Sequence, residues 1–225
     1  MKNIILTLMT VLLATSAFGQ KVVHTDRYAK NNEALKAAPV VGPRVVLMGD
    51  SITDFWPSRS PGFFEGHANL IGRGISGEVT AQMLLRFWPD VIDLHPETVV
   101  ILAGINDIAQ NLGDLYDESN TFNNIKSMAE LARHHGIRVV LCTVLPSVRC
   151  RWRPEIEDVP EKVASLNARI LAYARANGIP CADYYTALAG ADGRTICEEY
   201  SEDTVHPNAA GYARMESVLL DVLGR

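Results

Sequence analysis

Four short stretches of the chain carry side chains that could act together on a carbonyl group. In Gly49-Asp50-Ser51-Ile52-Thr53 a small glycine allows a sharp bend and leaves the Ser51 hydroxyl free as a nucleophile. If a helix starts directly after that bend, the Ser51 N–H lacks an intrahelical partner and points at whatever binds there. In Gly104-Ile105-Asn106-Asp107 the Asn106 amide offers a neutral donor suited to a developing oxyanion. In Asp203-Thr204-Val205-His206-Pro207 an acid and a histidine three apart can hydrogen-bond, which fixes the imidazole tautomer and stabilises its charged form. Pro207 suits the first turn of a following helix.

The fourth stretch, Gly72-Arg73-Gly74-Ile75-Ser76-Gly77, spells G-x-G-x-x-G, the dinucleotide-binding fingerprint. That fingerprint needs an acid at the end of the next strand, about twenty residues on. Here the next strand ends in Ala103-Gly104, and Asp90 and Asp93 fall within the helical stretch before it. A Gly74 N–H aimed into the cleft of Ser51 and Asn106 explains the glycines better. Each stretch also has a plainer reading. Asp50 or Ser51 could cap a helix, Asn106 could close an Asx-turn, and Asp203 to His206 could start a helix. Singly those readings prevail; together and in this order they do not.

The elements that carry these stretches follow from hydrophobic patterning. Residues 44–49 (RVVLMG), 98–104 (TVVILAG) and 138–145 (RVVLCTVL) are nearly continuous apolar runs, as strands buried on both faces should be. Residues 68–71 and 179–182 are shorter candidates. Helical stretches cover 78–94, 117–135, 155–176 and 208–223; in the third, Val163, Leu166, Ile170 and Tyr173 recur at spacings of three and four. Gly136 and Gly178 stand where helix stops belong. Strands alternating with helices imply parallel pairing through right-handed crossovers, hence one three-layer α/β/α domain from residue 41 to 225. Each chemical stretch then lies beyond a strand end on one edge of the sheet, where open α/β sheets bind ligands.

In these four blocks, in this order, the chain resembles the SGNH, or GDSL, hydrolases over residues 44–222. The resemblance implies a flavodoxin-like sheet of five parallel strands in order 2-1-3-4-5. It implies Ser51 as nucleophile, His206 as base and Asp203 as its partner. It also implies an oxyanion hole made by the Ser51 N–H, the Gly74 N–H and the Asn106 side chain, with no metal or cofactor. Gly72 and Ile105 depart from the residues usual in the family. The expected substrate is an ester with a short acyl group on a sugar or other soluble alcohol, since five strands and their helices use up the chain and leave no long apolar insertion. Asp50, Trp56, Ile105 and Trp152 are the candidates for substrate contact. A lysophospholipid or acyl-thioester substrate is the alternative on the same site. An inactive glycan-binding module and a nucleotide-binding protein are the alternatives in other classes.

The chain has 225 residues, 48% hydrophobic and 21% charged, the usage of an ordinary globular domain. Lys2, the apolar run 4–14 and the Ala17-Phe18-Gly19 pattern read as a signal peptide over 1–19, which places the mature protein in a periplasm or outside the cell, with no stable membrane insertion. Its removal takes the formal net charge from −5 to about −6. An acidic chain without a basic run makes nucleic acid a poor partner. Residues 20–40 are expected to form a leader with a short helix over 28–37 that covers the sheet. No two cysteines are spaced C-x-x-C; Cys142 and Cys181 read as core, and Cys150 with Cys197 is one disulfide that export would permit. His24, His67, His95, His134 and His135 read as surface residues.

Overall fold

The computed structural model describes residues 23–39 and 42–224; the proposed signal peptide lies outside them. Five strands, β1 (Val45–Gly49), β2 (Leu70–Gly74), β3 (Thr98–Leu102), β4 (Arg138–Cys142) and β5 (Cys181–Ala182), form one parallel sheet in the order β2-β1-β3-β4-β5. The helices are α1 (Ala29–Ala37), α2 (Ser51–Arg59), α3 (Pro61–Gly66), α4 (Thr80–Asp90), α5 (Ile105–Ile108), α6 (Glu118–His134), α7 (Val159–Ala176), α8 (Tyr184–Leu188) and α9 (Ala209–Leu223). This is the three-layer architecture and strand order expected from the sequence.

Strand periodicity sorts the core into two layers. Val46, Met48, Val99, Ile101, Val139 and Leu141 pack with α4, α6 and α7. Their neighbours Val45, Leu47, Val100, Leu102, Val140 and Cys142 pack with α2, α8 and α9 on the other face. Each such fully buried aliphatic side chain contributes about 1.5–3 kcal/mol, so truncating Ile101 to alanine at the sheet centre should cost about 2–5 kcal/mol. The sheet's central strands therefore give a rigid base for the loops at their carboxyl ends.

The boundaries differ from the expectation for local reasons. The helix expected over 155–176 begins at Val159, because Asp158 takes a left-handed φ of 55° and Pro160 occupies the first turn. Its Asn167 is buried and bonds both the N–H and the C=O of Val144 at 2.8 Å, which takes the chain out of β4 three residues early. The helix expected over 78–94 runs only from Thr80 to Asp90, followed by a 3-10 turn at Ile92–Leu94. Of the N-terminal leader, α1 packs on α4 and that 3-10 turn rather than across the sheet. The bridge between Cys150 and Cys197 that export would permit is not formed: the four cysteines are free. Cys150 is buried in the layer with α7, whereas Ile196, beside Cys197, packs in the opposite layer.

Candidate active site

The loops beyond β1, β3 and β5 bring the Ser51, Asn106 and His206 side chains to one cleft of about 240 Å³. Ser51 Oγ lies 2.9 Å from His206 Nε2, and His206 Nδ1 lies 2.6 Å from Asp203 Oδ2. The loop before α9 is built to hold this pair. Asp203 Oδ1 accepts the N–H of Val205 at 2.9 Å and of His206 at 2.7 Å, and the Ser201 hydroxyl donates to the His206 carbonyl at 2.7 Å. Burial alone would raise the Asp203 carboxyl. The hydrogen bonds from His206 and Val205 outweigh it and hold the group below the usual carboxylate range. An ionised Asp203 keeps a proton on Nδ1, so Nε2 presents its lone pair to Ser51.

Ser51 is the first residue of α2, and Asp50 is its cap: the carboxylate accepts the Ile52 N–H at 3.0 Å. The plainer reading of Asp50 is thus the right one. It is 1% exposed and does not line the cleft, which corrects its assignment to the substrate. Burial pushes its carboxyl up to about 6. One helical turn on from Ser51, Phe55 does line the cleft, its ring 5.4 Å from that of His206. Trp56, one residue further, is rotated to the core side. It sits among Phe63, Phe64, Tyr184 and Tyr212 with Nε1 donating to Glu216 at 3.0 Å, so it is corrected from substrate contact to core.

Gly74 is likewise corrected. A Cβ there would fall 2.1 Å from the Asp54 backbone nitrogen and 2.6 Å from the Asp50 carbonyl oxygen, so the glycine permits β2 to pack against the start of α2. Gly74 does not line the cleft; Gly77 does. Gly77 is the third residue of a turn closed by Glu78 N–H to the Ile75 carbonyl at 3.3 Å, with the positive φ of 82° that glycine tolerates. The glycines therefore serve packing and a turn, not a dinucleotide.

Asn106 is 2% exposed, and its amide is engaged at both ends. Nδ2 donates to the Glu78 carbonyl at 3.0 Å, and Oδ1 accepts from Asn111 Nδ2 at 2.8 Å, which leaves one amide N–H. Asn111 also donates to the Gly77 carbonyl at 3.0 Å and accepts from Trp152 Nε1 at 2.8 Å. Sequence reasoning missed Asn111, since nothing marks one polar loop residue among several. It missed Phe55 too, although the i, i+4 spacing from Ser51 was there to be read. Trp152 is where it was expected, lining the cleft with its ring 5.9 Å from that of His206. Ile105 is corrected: it is 3% exposed and points into the core layer of α6 and α7. The other five histidines do not line the cleft. Among the described residues no three His, Cys, Asp or Glu side chains are grouped as metal ligands, and no helix is long and apolar enough to cross a membrane.

Comparison with known proteins points to one family. A GDSL-like lipase of Bacteroides thetaiotaomicron VPI-5482 superposes with a TM-score of 0.86 at 46% identity, covering 91% of this chain and 98% of that one. An isoamyl acetate-hydrolyzing esterase 1 homolog of Bos taurus is 29% identical over 158 residues, 62% of each chain. An uncharacterized lipoprotein of Bacillus subtilis is 33% identical over 85 residues, 37% of this chain and 35% of that protein. The chain thus spans less than two thirds of these two curated relatives. The family model for the GDSL-like lipase/acylhydrolase family matches residues 47–214, and the chain belongs to that family.

Proposed function

We propose that the protein hydrolyses carboxylic esters through an acyl-enzyme on Ser51, and that its substrates carry a short acyl group, acetyl foremost, on a sugar or other soluble alcohol. The observation that carries this reading is the continuous relay from Ser51 Oγ to His206 Nε2 at 2.9 Å and from His206 Nδ1 to Asp203 at 2.6 Å. His206 takes the Ser51 proton as the oxygen attacks the ester carbonyl. The charge that develops on the carbonyl oxygen meets the Asn106 amide and the N–H groups of Ser51 and Gly77, neither of which has a partner among the described residues. His206 then gives its proton to the leaving alcohol, and water activated by the same nitrogen releases the acid. Gly77 takes the role expected of Gly74. The small cleft, walled by Phe55 and Trp152, suits a compact acyl group and a flat alcohol, and the bovine relative is named for hydrolysis of an acetate ester.

A fluorophosphonate probe tests the reading. Covalent label on Ser51, abolished in Ser51→Ala, supports it; folded protein that takes no label would favour a binding module instead. The export expectation is part of the same reading, and mass spectrometry of protein expressed with its own leader should find a chain that starts at Gln20. A chain that keeps residues 1–19 would remove it.

One observation favours a second reading, a lysophospholipid or acyl-thioester substrate. Asn111 also borders a neighbouring cavity of about 110 Å³, whose lining includes the exposed Leu112 and Leu115. Those two leucines would give a longer chain an apolar contact, and rates across a series of acyl lengths separate the two.

A further inference from the structure

Beneath the cleft lies a buried ion cluster that the ester chemistry does not itself use. Arg86, on α4, is 0% exposed. Its Nε donates to Glu78 Oε2, its Nη1 to Asp90 Oδ2 at 2.9 Å and to the Arg73 carbonyl at 3.0 Å, and its Nη2 to the Gly49 carbonyl at 3.0 Å. Gly49 leads directly into Asp50 and Ser51. Arg73 lies at the end of β2 and leads into the turn that carries Gly77. Glu78 follows Gly77, and its carbonyl accepts from Asn106 Nδ2 at 3.0 Å. One guanidinium therefore binds the backbone just before Ser51, the backbone that leads to Gly77, and the side chain of Glu78, whose own carbonyl holds Asn106.

The cluster continues into the leader. Asp90 accepts from Asn32 at 2.8 Å, Asn32 accepts from Arg73 Nη2 at 2.7 Å, and the Tyr28 hydroxyl donates to the Gly74 carbonyl at 2.5 Å. The Arg73 guanidinium also lies 4.6 Å from the centre of the Tyr28 ring. Buried ion pairs of this kind add little net stability, because desolvation offsets their attraction; what their directed bonds fix is geometry. A planar fork can hold several acceptors at once, which an ammonium point charge on a flexible stem cannot.

We infer that Arg86, together with Glu78, is a positioning residue of the oxyanion hole: it sets the spacing of the Ser51, Gly77 and Asn106 donors. The inference rests on the ester-hydrolase reading of the site. Oxyanion donors act on charge that appears only in the transition state, so misplacing them lowers kcat and leaves KM nearly unchanged.

The experiment is steady-state hydrolysis of p-nitrophenyl acetate by Glu78→Ala, Glu78→Gln and Arg86→Lys, with rates expressed per active site titrated and thermal midpoints measured alongside. Glu78→Ala and Arg86→Lys are expected to lower kcat by about tenfold or more, with KM changed by less than about threefold. Affinity for a boronic acid, which forms a tetrahedral adduct on Ser51, should fall in parallel. Glu78→Gln keeps an acceptor for Arg86 Nε and should regain most of what Glu78→Ala loses. If Arg86→Lys does not fold, the two Glu78 variants decide the matter. A Glu78→Ala enzyme with a lowered midpoint but kcat within about threefold of wild type overturns the positioning role. Wild-type protein that neither takes the fluorophosphonate label nor cleaves an ester overturns the reading of the site and this inference with it; labelled wild type with unaffected variants overturns the inference alone.

Discussion

Asn111 donates to Asn106 Oδ1 across 2.8 Å, and that bond decides how the Asn106 amide faces Ser51. A carbonyl can only accept, so the Glu78 carbonyl takes the nitrogen end of the same amide at 3.0 Å. Held at both ends, the amide cannot flip, and its remaining N–H is the one available to an oxyanion. Asn106→Ala should lower kcat by about 10²–10³ with KM little changed, because that bond strengthens only as charge develops. Steady-state kinetics on one ester checks this. Raised KM with normal kcat would instead make Asn106 a ground-state contact.

Nucleophile and base act as one unit. Ser51→Ala and His206→Ala should each lower kcat by about 10⁵–10⁶, and Asp203→Asn by about 10⁴, since Asp203 orients and stabilises rather than reacts. Circular dichroism should show all three variants folded. A Ser51→Ala enzyme that keeps more than about a tenth of wild-type kcat would be incompatible with a Ser51 nucleophile.

A protonated His206 cannot accept the Ser51 proton, so kcat/KM should fall on the acid side. The same limb should disappear from the residual activity of His206→Ala. A wild-type profile with no acid limb, or a limb that persists in His206→Ala, would argue against His206 as the base.

Asp50 caps α2 from a fully buried position, with its carboxyl raised from 3.8 to about 6. An acid raised on folding binds more protons in the native state, so its contribution to stability falls as pH climbs from about 4 to about 6. The Asp50→Asn variant would keep a capping oxygen without the charge. Its stability relative to wild type should therefore grow between pH 4 and pH 7 by about 2 kcal/mol. Urea unfolding of both proteins at the two pH values measures it, and a difference that does not change with pH would contradict the raised carboxyl.

Acyl length separates the two substrate readings. Across p-nitrophenyl esters from acetate to palmitate, kcat/KM should be highest for the shortest chains and fall as each added methylene outgrows the cleft. Acetylated oligosaccharides should then be deacetylated. A rise in kcat/KM beyond about C6 would transfer the proposal to the lipid or thioester substrate.

Residue patterning alone sufficed for the layers, and the four motif blocks sufficed for the strand order and the residues of the relay. Continuous apolar runs such as 98–102 fit a doubly buried strand, and Asp203 and His206 are too close in the chain to be placed apart. The same patterning did not reveal α2, because Ser51–Arg59 mixes β-branched residues with Pro57 and lacks a clean apolar period; the helix is held by the Asp50 cap and by Ile52 and Trp56 in the core. Packing in three dimensions also chose which glycine, which tryptophan and which asparagines serve the cleft. Gly74 and Gly77 are three residues apart, but Gly74 abuts α2, and only Gly77 sits in the turn that borders Ser51. Trp56 is one residue past the face that Ser51 and Phe55 share, so the helix turns it inward, while Trp152 is held at the cleft by Asn111 from a loop 41 residues away. Residue type and spacing state what chemistry a loop can carry; the direction of each N–H and each ring is set by the neighbours that pack against it, and those come from distant parts of the chain.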